Sequence, residues 1–259
     1  MRKNSFLLTL AALFGALWSS PAVAEEVRVV TSGGFTEAYN ILGPQFENET
    51  GIVLATEYGA SSGGAPDSIP MRLARGEPAD LIILARYALD DLTESGHVMA
   101  DTRTDLVASK IGMAVRLGAA KPDISTPEAF VATLLNAESI AFSASASGTY
   151  LSEDLFPRLG IWDRIEDKSL RVVSERVAAV VARGEAEIGF QQISELLPIE
   201  GADYVGPLPE ELQLVTLFSA GVTTSAENVE GAMRLLDYLS SRDVAHIIAM
   251  TGLDPVADD

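Results

Sequence analysis

The feature that most constrains this chain is a repeated order of strand, small-residue loop and helix. Residues 27–31 form a β-branched run that predicts a strand and ends in Ser32, Gly33 and Gly34. Apolar side chains then recur at helical spacing over residues 35–50. A chain that turns at glycines between a strand and a helix is typical of α/β proteins.

The strand pattern returns twice in the first half of the chain. Residues 52–57 lead into a small-residue loop with Ser61 and Ser62 at its tip. Residues 81–85 are fully apolar, which is typical of a strand buried on both faces, and Arg86 follows them directly. Strands that alternate with helices in this way predict parallel β-α-β units.

A second series of the same kind follows in the second half. A strand predicted over residues 139–142 leads into the loop of residues 143–148, which contains Ser145, Ser147 and Gly148 and precedes another helix. We therefore predict an α/β protein with two lobes of similar plan. The first lobe comprises residues 25–112 and 216–259, the second comprises residues 113–215, and the chain crosses near residues 110–120 and 190–215.

The first 24 residues have the pattern of a secretory signal. Arg2 and Lys3 precede an apolar stretch, and the small residues that end at Ala24 form a cleavage motif. We predict cleavage near Ala24, a mature chain that begins near Glu25, and a periplasmic location. No later run is long and apolar enough to predict a membrane span.

The acidic composition of the chain limits the classes of molecule that it can bind. The sequence has 18 lysines and arginines against 37 aspartates and glutamates, a formal net charge of −19. Such a surface repels polyanions, so we predict no nucleic-acid partner and no binding to anionic lipid. The chain has no cysteine, and His97 and His246 have no metal-site spacing, so we predict no metal site.

The three small-residue loops indicate a site for a small anion. In open α/β sheets ligands bind at the carboxyl ends of the strands, where loop amides and helix N-termini converge. Exposed N–H groups and hydroxyls bind an anion without requiring positive charge. The alternative is that these serines and glycines are ordinary cap and turn residues.

Longer polar side chains near the same strand ends favour a carboxylate ligand. Arg86 and Arg176 carry guanidinium groups, which bind carboxylates through two parallel hydrogen bonds. Tyr150, Gln191 and Gln192 add neutral donors. The alternatives are a surface pair between Arg86 and Asp90, and a polar hinge strand for the two glutamines.

Four segments resemble the periplasmic molybdate-binding protein family over nearly the whole mature chain. The resemblance implies a two-lobed periplasmic binding-protein fold with a hinge and a ligand cleft between the lobes. PADL and LGIW are its more specific parts. The segments are VVTSGGF (residues 29–35), RLARGEPADLIILA (72–85), SGTYLSEDLFPRLGIW (147–162) and ARGEAEIGF (182–190).

The resemblance also implies an oxyanion site that this chain has altered. Gly34 stands where the family has a serine, Phe190 where it has a tyrosine, and either Ser61 or Ser62 matches a second serine. Ser147 supplies a matching backbone donor. Two missing hydroxyl donors leave oxyanion oxygens unsatisfied at a cost of about 1–3 kcal/mol each, which favours a small polycarboxylate over molybdate.

One branch of the resemblance is enzymatic. SGG in the first loop, the extended loop of residues 61–80 and GFQQISEL (residues 189–196) resemble aconitate isomerase. This implies a cofactor-independent allylic proton transfer between cis- and trans-aconitate, which needs a base that takes and returns a proton. We predict that Glu175, expected to be partly buried, is this base; the alternative is an acid stabilised by a helix dipole. Arg86, Ser147 and Gln191 are predicted to hold carboxylates or the developing charge.

Two other functions stay open. A non-catalytic receptor would bind a small carboxylate or an oxyanion such as molybdate or tungstate and deliver it to a membrane permease. Because the receptor and the isomerase share a fold, the fold alone does not choose between them. An unrelated hydrolase would need a nucleophile and base, and the chain has no G-x-S-x-G elbow.

Overall fold

The computed structural model describes residues 25–256, so the predicted signal lies outside the described residues. Among residues 25–256, no helix has the length and apolar character required to cross a membrane. The described strands are β1 (Glu26–Ser32), β2 (Val53–Gly59), β3 (Leu81–Ala85), β4 (Thr104–Ser109), β5 (Ile111–Arg116), β6 (Ile140–Ser143), β7 (Ser169–Val172), β8 (Ile188–Gln192), β9 (Ala202–Pro207), β10 (Thr216–Val222) and β11 (Asp254–Pro255).

The helices connect these strands and cover the faces of the sheets. A π-helical turn, Tyr150–Leu155, joins two of them into one helical segment. The helices are α1 (Gly33–Thr50), α2 (Ile69–Ala74), α3 (Arg86–Glu94), α4 (Pro127–Asn136), α5 (Ala146–Thr149), α6 (Phe156–Arg158), α7 (Trp162–Ile165), α8 (Val177–Ala182), α9 (Ile193–Leu196), α10 (Val229–Ser240) and α11 (Ala245–Met250).

The strands form two mixed sheets, and the structure is an α/β fold with two lobes. The first sheet has the order β11-β4-β10-β3-β1-β2 and the second β7-β6-β8-β5-β9. The parallel pairs expected from the β-α-β pattern are present between β1, β2 and β3 and between β6, β7 and β8. Antiparallel strands occur where the chain enters from the other lobe, at β5 and β10. Parallel neighbours require a crossover connection, usually a helix, and β5 and β10 are not joined to their neighbours in this way.

The two crossings between the lobes are short. Lys110 alone separates β4 in the first sheet from β5 in the second. The second sheet therefore begins at Ile111, slightly before the predicted boundary at residue 113. The chain returns to the first sheet between β9 and β10.

Each lobe has its own hydrophobic core. In the first, Phe35 and Leu42 of α1 pack with Leu235 of α10. In the second, Phe130 lies edge-on to Phe190, with ring centroids 5.7 Å apart. These cores hold the strand ends that carry the loops in fixed positions.

The apolar spacing of residues 229–250 predicts one helix, and this prediction is wrong because the structure has two. The helix stops after Ser240, because Ser241 has an extended backbone with φ −70° and ψ 150°. A second helix, α11, follows at Ala245. Helix α10 buries Ala232 and Leu239 against the first sheet, which returns the C-terminal part of the chain to the first lobe.

Candidate functional site

The three serine and glycine loops line one cleft of about 640 Å³ between the lobes. The first loop begins α1, the second follows β2, and the third follows β6. The carboxyl ends of the parallel strands thus meet across the cleft. The predicted site residues that line it are Gly33, Gly34, Ser61, Ser62, Ser145, Ser147, Glu175, Arg176, Gln191 and Gln192.

Side chains from opposite lobes contact each other beside this cleft. Arg176 Nη2 in the second lobe donates to Glu37 Oε1 of α1 at 2.5 Å. Ser174 Oγ donates to Asp67 Oδ2 at 3.3 Å. Ser174 has a φ of 58°, a left-handed conformation that costs a non-glycine residue energy and often marks a functional segment. These contacts join the two lobes beside the cleft.

The first loop has glycines because other residues occupy the space of its side chains. A Cβ at position 33 would collide with Glu195 Oε1, and a Cβ at position 34 would collide with the ring of Phe218. Ser194 Oγ donates to the Gly34 carbonyl at 2.8 Å and holds this loop against the second lobe. The first loop therefore offers backbone groups and no hydroxyl at position 34.

Ser32 precedes this loop and is not among the residues that line the cleft. Its hydroxyl is buried, makes no cap to α1 and has no hydrogen-bond partner within residues 25–256. Its predicted role in substrate binding stays a prediction.

The second loop presents two hydroxyls with protons to donate. Ser61 Oγ accepts from the backbone N–H of Ala85 at 2.9 Å, and Ser62 Oγ accepts from the Tyr87 hydroxyl at 2.7 Å. Because a serine hydroxyl both donates and accepts, each keeps its own O–H for a ligand. Burial of Ser61 fixes this donor at the cleft wall.

The third loop is held by its own hydrogen bonds. Ser143 Oγ and Ser147 Oγ lie 3.1 Å apart, and Ser145 N donates to Ser143 Oγ at 3.3 Å. Gly148 does not line the cleft; a Cβ there would collide with the Ser143 carbonyl, so the glycine allows the tight turn into α5. Gly148 thus shapes the loop, whereas Ser145 and Ser147 reach the cleft.

Glu195 is a carboxylate at the junction of the lobes that the sequence analysis did not single out. Desolvation raises its pKa to about 7, against the opposing effects of the nearby Arg176 guanidinium and a hydrogen bond from Gln191. Gln191 Nε2 donates to Glu195 Oε1 at 2.9 Å, and Gln191 Oε1 accepts from Val177 N at 2.7 Å. The carboxyl group is therefore held in a fixed position in the cleft and can exchange a proton near neutral pH.

Glu175 also lines the cleft, but its surroundings are different. Arg183 donates to both of its oxygens, at 3.0 and 3.2 Å, and its side chain is 44% exposed. The expectation of a partly buried Glu175 is wrong, because this side chain extends toward solvent and Arg183. Its role as the base stays a prediction.

Arg86, Tyr150 and Phe190 are not among the residues that line the cleft. Arg86 Nη1 pairs with Asp105 at 2.6 Å, and its Nε lies 3.8 Å from Asp90, so the pairing with Asp90 was one part of a larger ion-pair group. Tyr150 donates to a main-chain carbonyl in the second crossing at 2.9 Å. Phe190 is fully buried in the second core.

Gln192 lines the cleft and also joins the two crossings. Ser109 Oγ donates to Gln192 Oε1 at 2.8 Å, and Gln192 Nε2 donates to Thr216 Oγ1 at 3.2 Å. The chain leaves the first lobe after Ser109, at the end of β4, and returns to it at Thr216, at the start of β10. One buried side chain is therefore bonded to the chain at both crossings between the lobes. This arrangement is that of a hinge residue.

Comparison with known proteins places the chain in a family. Residues 27–254 match the family described as bacterial extracellular solute-binding protein. The chain belongs to this family. Aconitate isomerase of a Pseudomonas species is 45% identical over 253 residues, with 96% of each chain covered. The molybdate-binding protein of Escherichia coli (strain K12) is 26% identical, with 97% of this chain and 98% of the relative covered.

A solved structure has the same fold. The periplasmic molybdate-binding protein of Azotobacter vinelandii superimposes with a TM-score of 0.70 at 19% identity, and the match covers 90% of this chain and 100% of that one. The resemblance to the molybdate-binding family, including its aconitate isomerase branch, is therefore confirmed.

Within this solute-binding fold, the cleft combines three kinds of chemistry. Backbone amides and serine hydroxyls can bind anions, guanidinium groups can bind carboxylates, and Glu195, with a pKa of about 7, can exchange a proton. Glu195 lies in the segment 189–196, whose likeness to the isomerase was the only available signal for it. A second missed residue is Arg171, which lines the cleft from the end of β7. Across the described residues, no group of three or more histidines and acids is placed to hold a metal ion.

Proposed function

We propose that this solute-binding protein is an aconitate isomerase and that Glu195 is its base. The observation that carries the proposal is a carboxyl group with a pKa of about 7 inside an anion-binding cleft. A receptor that only binds an anion gains nothing from a second negative group there, because like charges repel. A proton-transfer enzyme needs such a group, poised near the working pH.

The reaction moves one proton along an allylic unit. The Glu195 carboxylate removes a proton from the methylene carbon of aconitate, and the C–H electron pair forms the new double bond. The electrons of the old double bond then take the proton from the Glu195 carboxyl group at the former vinyl carbon. One C–H bond breaks and one forms, so the carboxylate is regenerated and no oxidant or reductant is consumed.

The remaining cleft groups stabilise the charge that develops during this step. Negative charge spreads from the reacting carbons onto the substrate carboxylates as the proton leaves. Ser61 and Ser62 offer O–H donors, and Arg176 offers a guanidinium group near Glu195. Donors that are already in place cost little reorganisation when the charge appears.

The second candidate function is a receptor for a small anion, which the molybdate-binding relatives favour. In this case the lobes would close on the anion and present it to a membrane permease. For either function we propose export to the periplasm, which the signal pattern of residues 1–24 and the family description support.

The test is turnover by the purified mature chain. Incubation with trans-aconitate is followed by chromatographic detection of cis-aconitate. Glu195→Gln should reduce kcat by about 10²- to 10⁴-fold, the usual contribution of a general base, while ligand affinity changes little. Glu175→Gln is the matched variant for the rival base. If Glu175→Gln removes turnover and Glu195→Gln retains it, Glu175 is the base.

The receptor function gives a different result. A wild-type chain that produces no cis-aconitate at enzyme concentrations near that of the substrate is not an aconitate isomerase. Titration calorimetry with molybdate, tungstate and tricarboxylates then identifies the anion that the cleft binds.

A further inference from the structure

Among residues 25–256, Arg171 is the cleft-lining cation that no carboxylate neutralises. The charged residues of the cleft are Asp67, Arg171, Glu175, Arg176 and Glu195. Arg176 pairs with an acid of the other lobe, and Glu175 pairs with an arginine of its own lobe. Across residues 25–256, Arg171 has no ion pair, and its recorded hydrogen bond is a long one of 3.5 Å to the Ala144 carbonyl.

The position of Arg171 is the mouth of the cleft. It stands one residue before the end of β7, opposite Phe142 of β6, and its side chain is exposed. Its acceptor, the Ala144 carbonyl, lies 3.8 Å from the point where a Cβ of Gly63 would be. Gly63 belongs to the second loop of the first lobe, so the guanidinium group lies near the place where the two lobes meet.

We infer that Arg171 binds one carboxylate of the substrate at the cleft mouth and makes the site selective for tricarboxylates over dicarboxylates. The inference rests on the proposed function, because that function supplies a substrate with three carboxylates. Arg176 and Gly33 are the cleft groups shown to lie near Glu195, and they hold the carboxylates next to the reacting carbons. A third carboxylate then extends toward the mouth, where Arg171 offers two parallel N–H donors.

The net negative charge of the chain increases the contribution that Arg171 makes to binding an anionic substrate. With a formal net charge of −19, the protein repels a trianion at long range. An unpaired cation at the entrance offsets that repulsion locally. Because Arg176 and Gln191, and not Arg171, are the groups that act on the Glu195 carboxyl group, removal of Arg171 should weaken substrate binding more than it slows proton transfer.

The experiment compares Arg171→Ala and Arg171→Lys with Arg116→Ala. Arg116 is the matched control, since it is an exposed arginine at the end of β5 in the same lobe, forms no ion pair with any other described residue and does not line the cleft. Arg171→Ala should raise KM for trans-aconitate by about tenfold to a hundredfold, the value of a lost charge-assisted hydrogen-bond pair, with kcat within a few-fold. Arg171→Lys should recover part of the loss, because lysine keeps the charge without the planar fork.

Calorimetry with unreactive ligands separates this inference from the proposed function. The wild-type chain should bind propane-1,2,3-tricarboxylate more tightly than pentanedioate or butanedioate, and Arg171→Ala should remove most of that preference. If the wild-type chain turns over aconitate but Arg171→Ala keeps both KM and the preference, Arg171 has no such role. If no turnover occurs but the preference depends on Arg171, the isomerase proposal fails and the tricarboxylate site stands. A wild-type chain with no preference for the tricarboxylate overturns the inference.

Discussion

Glu195 is a carboxyl group that destabilises the fold when it is ionised, and Glu195→Gln tests this directly. Its pKa is about 7 in the folded protein, against an ordinary value of 4.5. Between these two values the folded state holds a proton that the unfolded state has released. The stability associated with that proton is therefore fully present below pH about 4.5 and is lost as the pH rises through about 7.

The magnitude follows from the difference between the two pKa values. One pKa unit corresponds to about 1.4 kcal/mol, so a shift of roughly 2.5 units gives an upper limit of about 3 kcal/mol above pH 7. Glutamine has the same shape, carries no charge and can accept the hydrogen bond that Gln191 donates to Glu195. Glu195→Gln should therefore match the wild-type chain near pH 4.5 and be more stable by about 1–3 kcal/mol at pH 8.

Thermal unfolding of the ligand-free protein at pH 5, 6, 7 and 8 measures this difference. For a chain of this size, about 1–3 kcal/mol corresponds to a rise in Tm of roughly 2–10 °C at pH 8. Glu175→Gln is the control, since an exposed ion pair contributes under about 1 kcal/mol and should give no rising trend over this range. A Tm difference between Glu195→Gln and wild type that is the same at pH 5 and pH 8 would refute the reasoning.

Three further predictions concern the same cleft. Below pH about 7, the wild-type kcat/KM for trans-aconitate should fall about tenfold per pH unit, because Glu195 must be ionised to accept the proton; a pH-rate profile measures this. Gly34→Ser should lower the free energy of unfolding by roughly 1–3 kcal/mol, because the added side chain overpacks against Phe218, and thermal unfolding should show this as a lower Tm. Calorimetry should detect no gain of molybdate binding. Glu37→Gln should weaken the contact with Arg176 by about 1 kcal/mol and increase the radius of gyration of the ligand-free protein in small-angle X-ray scattering.

The sequence was sufficient to predict the helices and strands whose local residue pattern determines their conformation. The apolar run of residues 81–85 is β3, and the glycine turn at residues 33–34 begins α1. Strand β4 was missed because TDLVAS has little apolar alternation and is placed by its antiparallel partners β10 and β11. The break at Ser241 was also missed, although Ser240, Ser241 and Asp243 are residue types that favour helix caps over helix interiors.

The parts of the site formed by backbone groups and loop serines were predictable from the sequence. The parts formed by contacts between residues distant in the chain were not. Serine and glycine loops at strand ends have the same meaning in any α/β protein, and the predicted loops line one cleft. Glu195 owes its raised pKa to burial against Gly33, which is distant in the chain, and Arg86 is held by Asp105 rather than by the cleft. Arg171 is exposed on a short edge strand, so its sequence neighbours give no sign that it faces the other lobe.

The bonds of Gln192 to Ser109 and Thr216 place this side chain at the point about which the two lobes would rotate apart. A rotation about these bonds displaces each atom in proportion to its distance from the axis. Glu195 follows Gln192 by three positions in the second lobe, whereas Ser62 belongs to the loop that follows β2 in the first lobe. In the proposed isomerase, separation of the lobes would therefore carry the Ser62 hydroxyl away from Glu195 and release the product, while Gln191 keeps the carboxyl group in place for the next turnover.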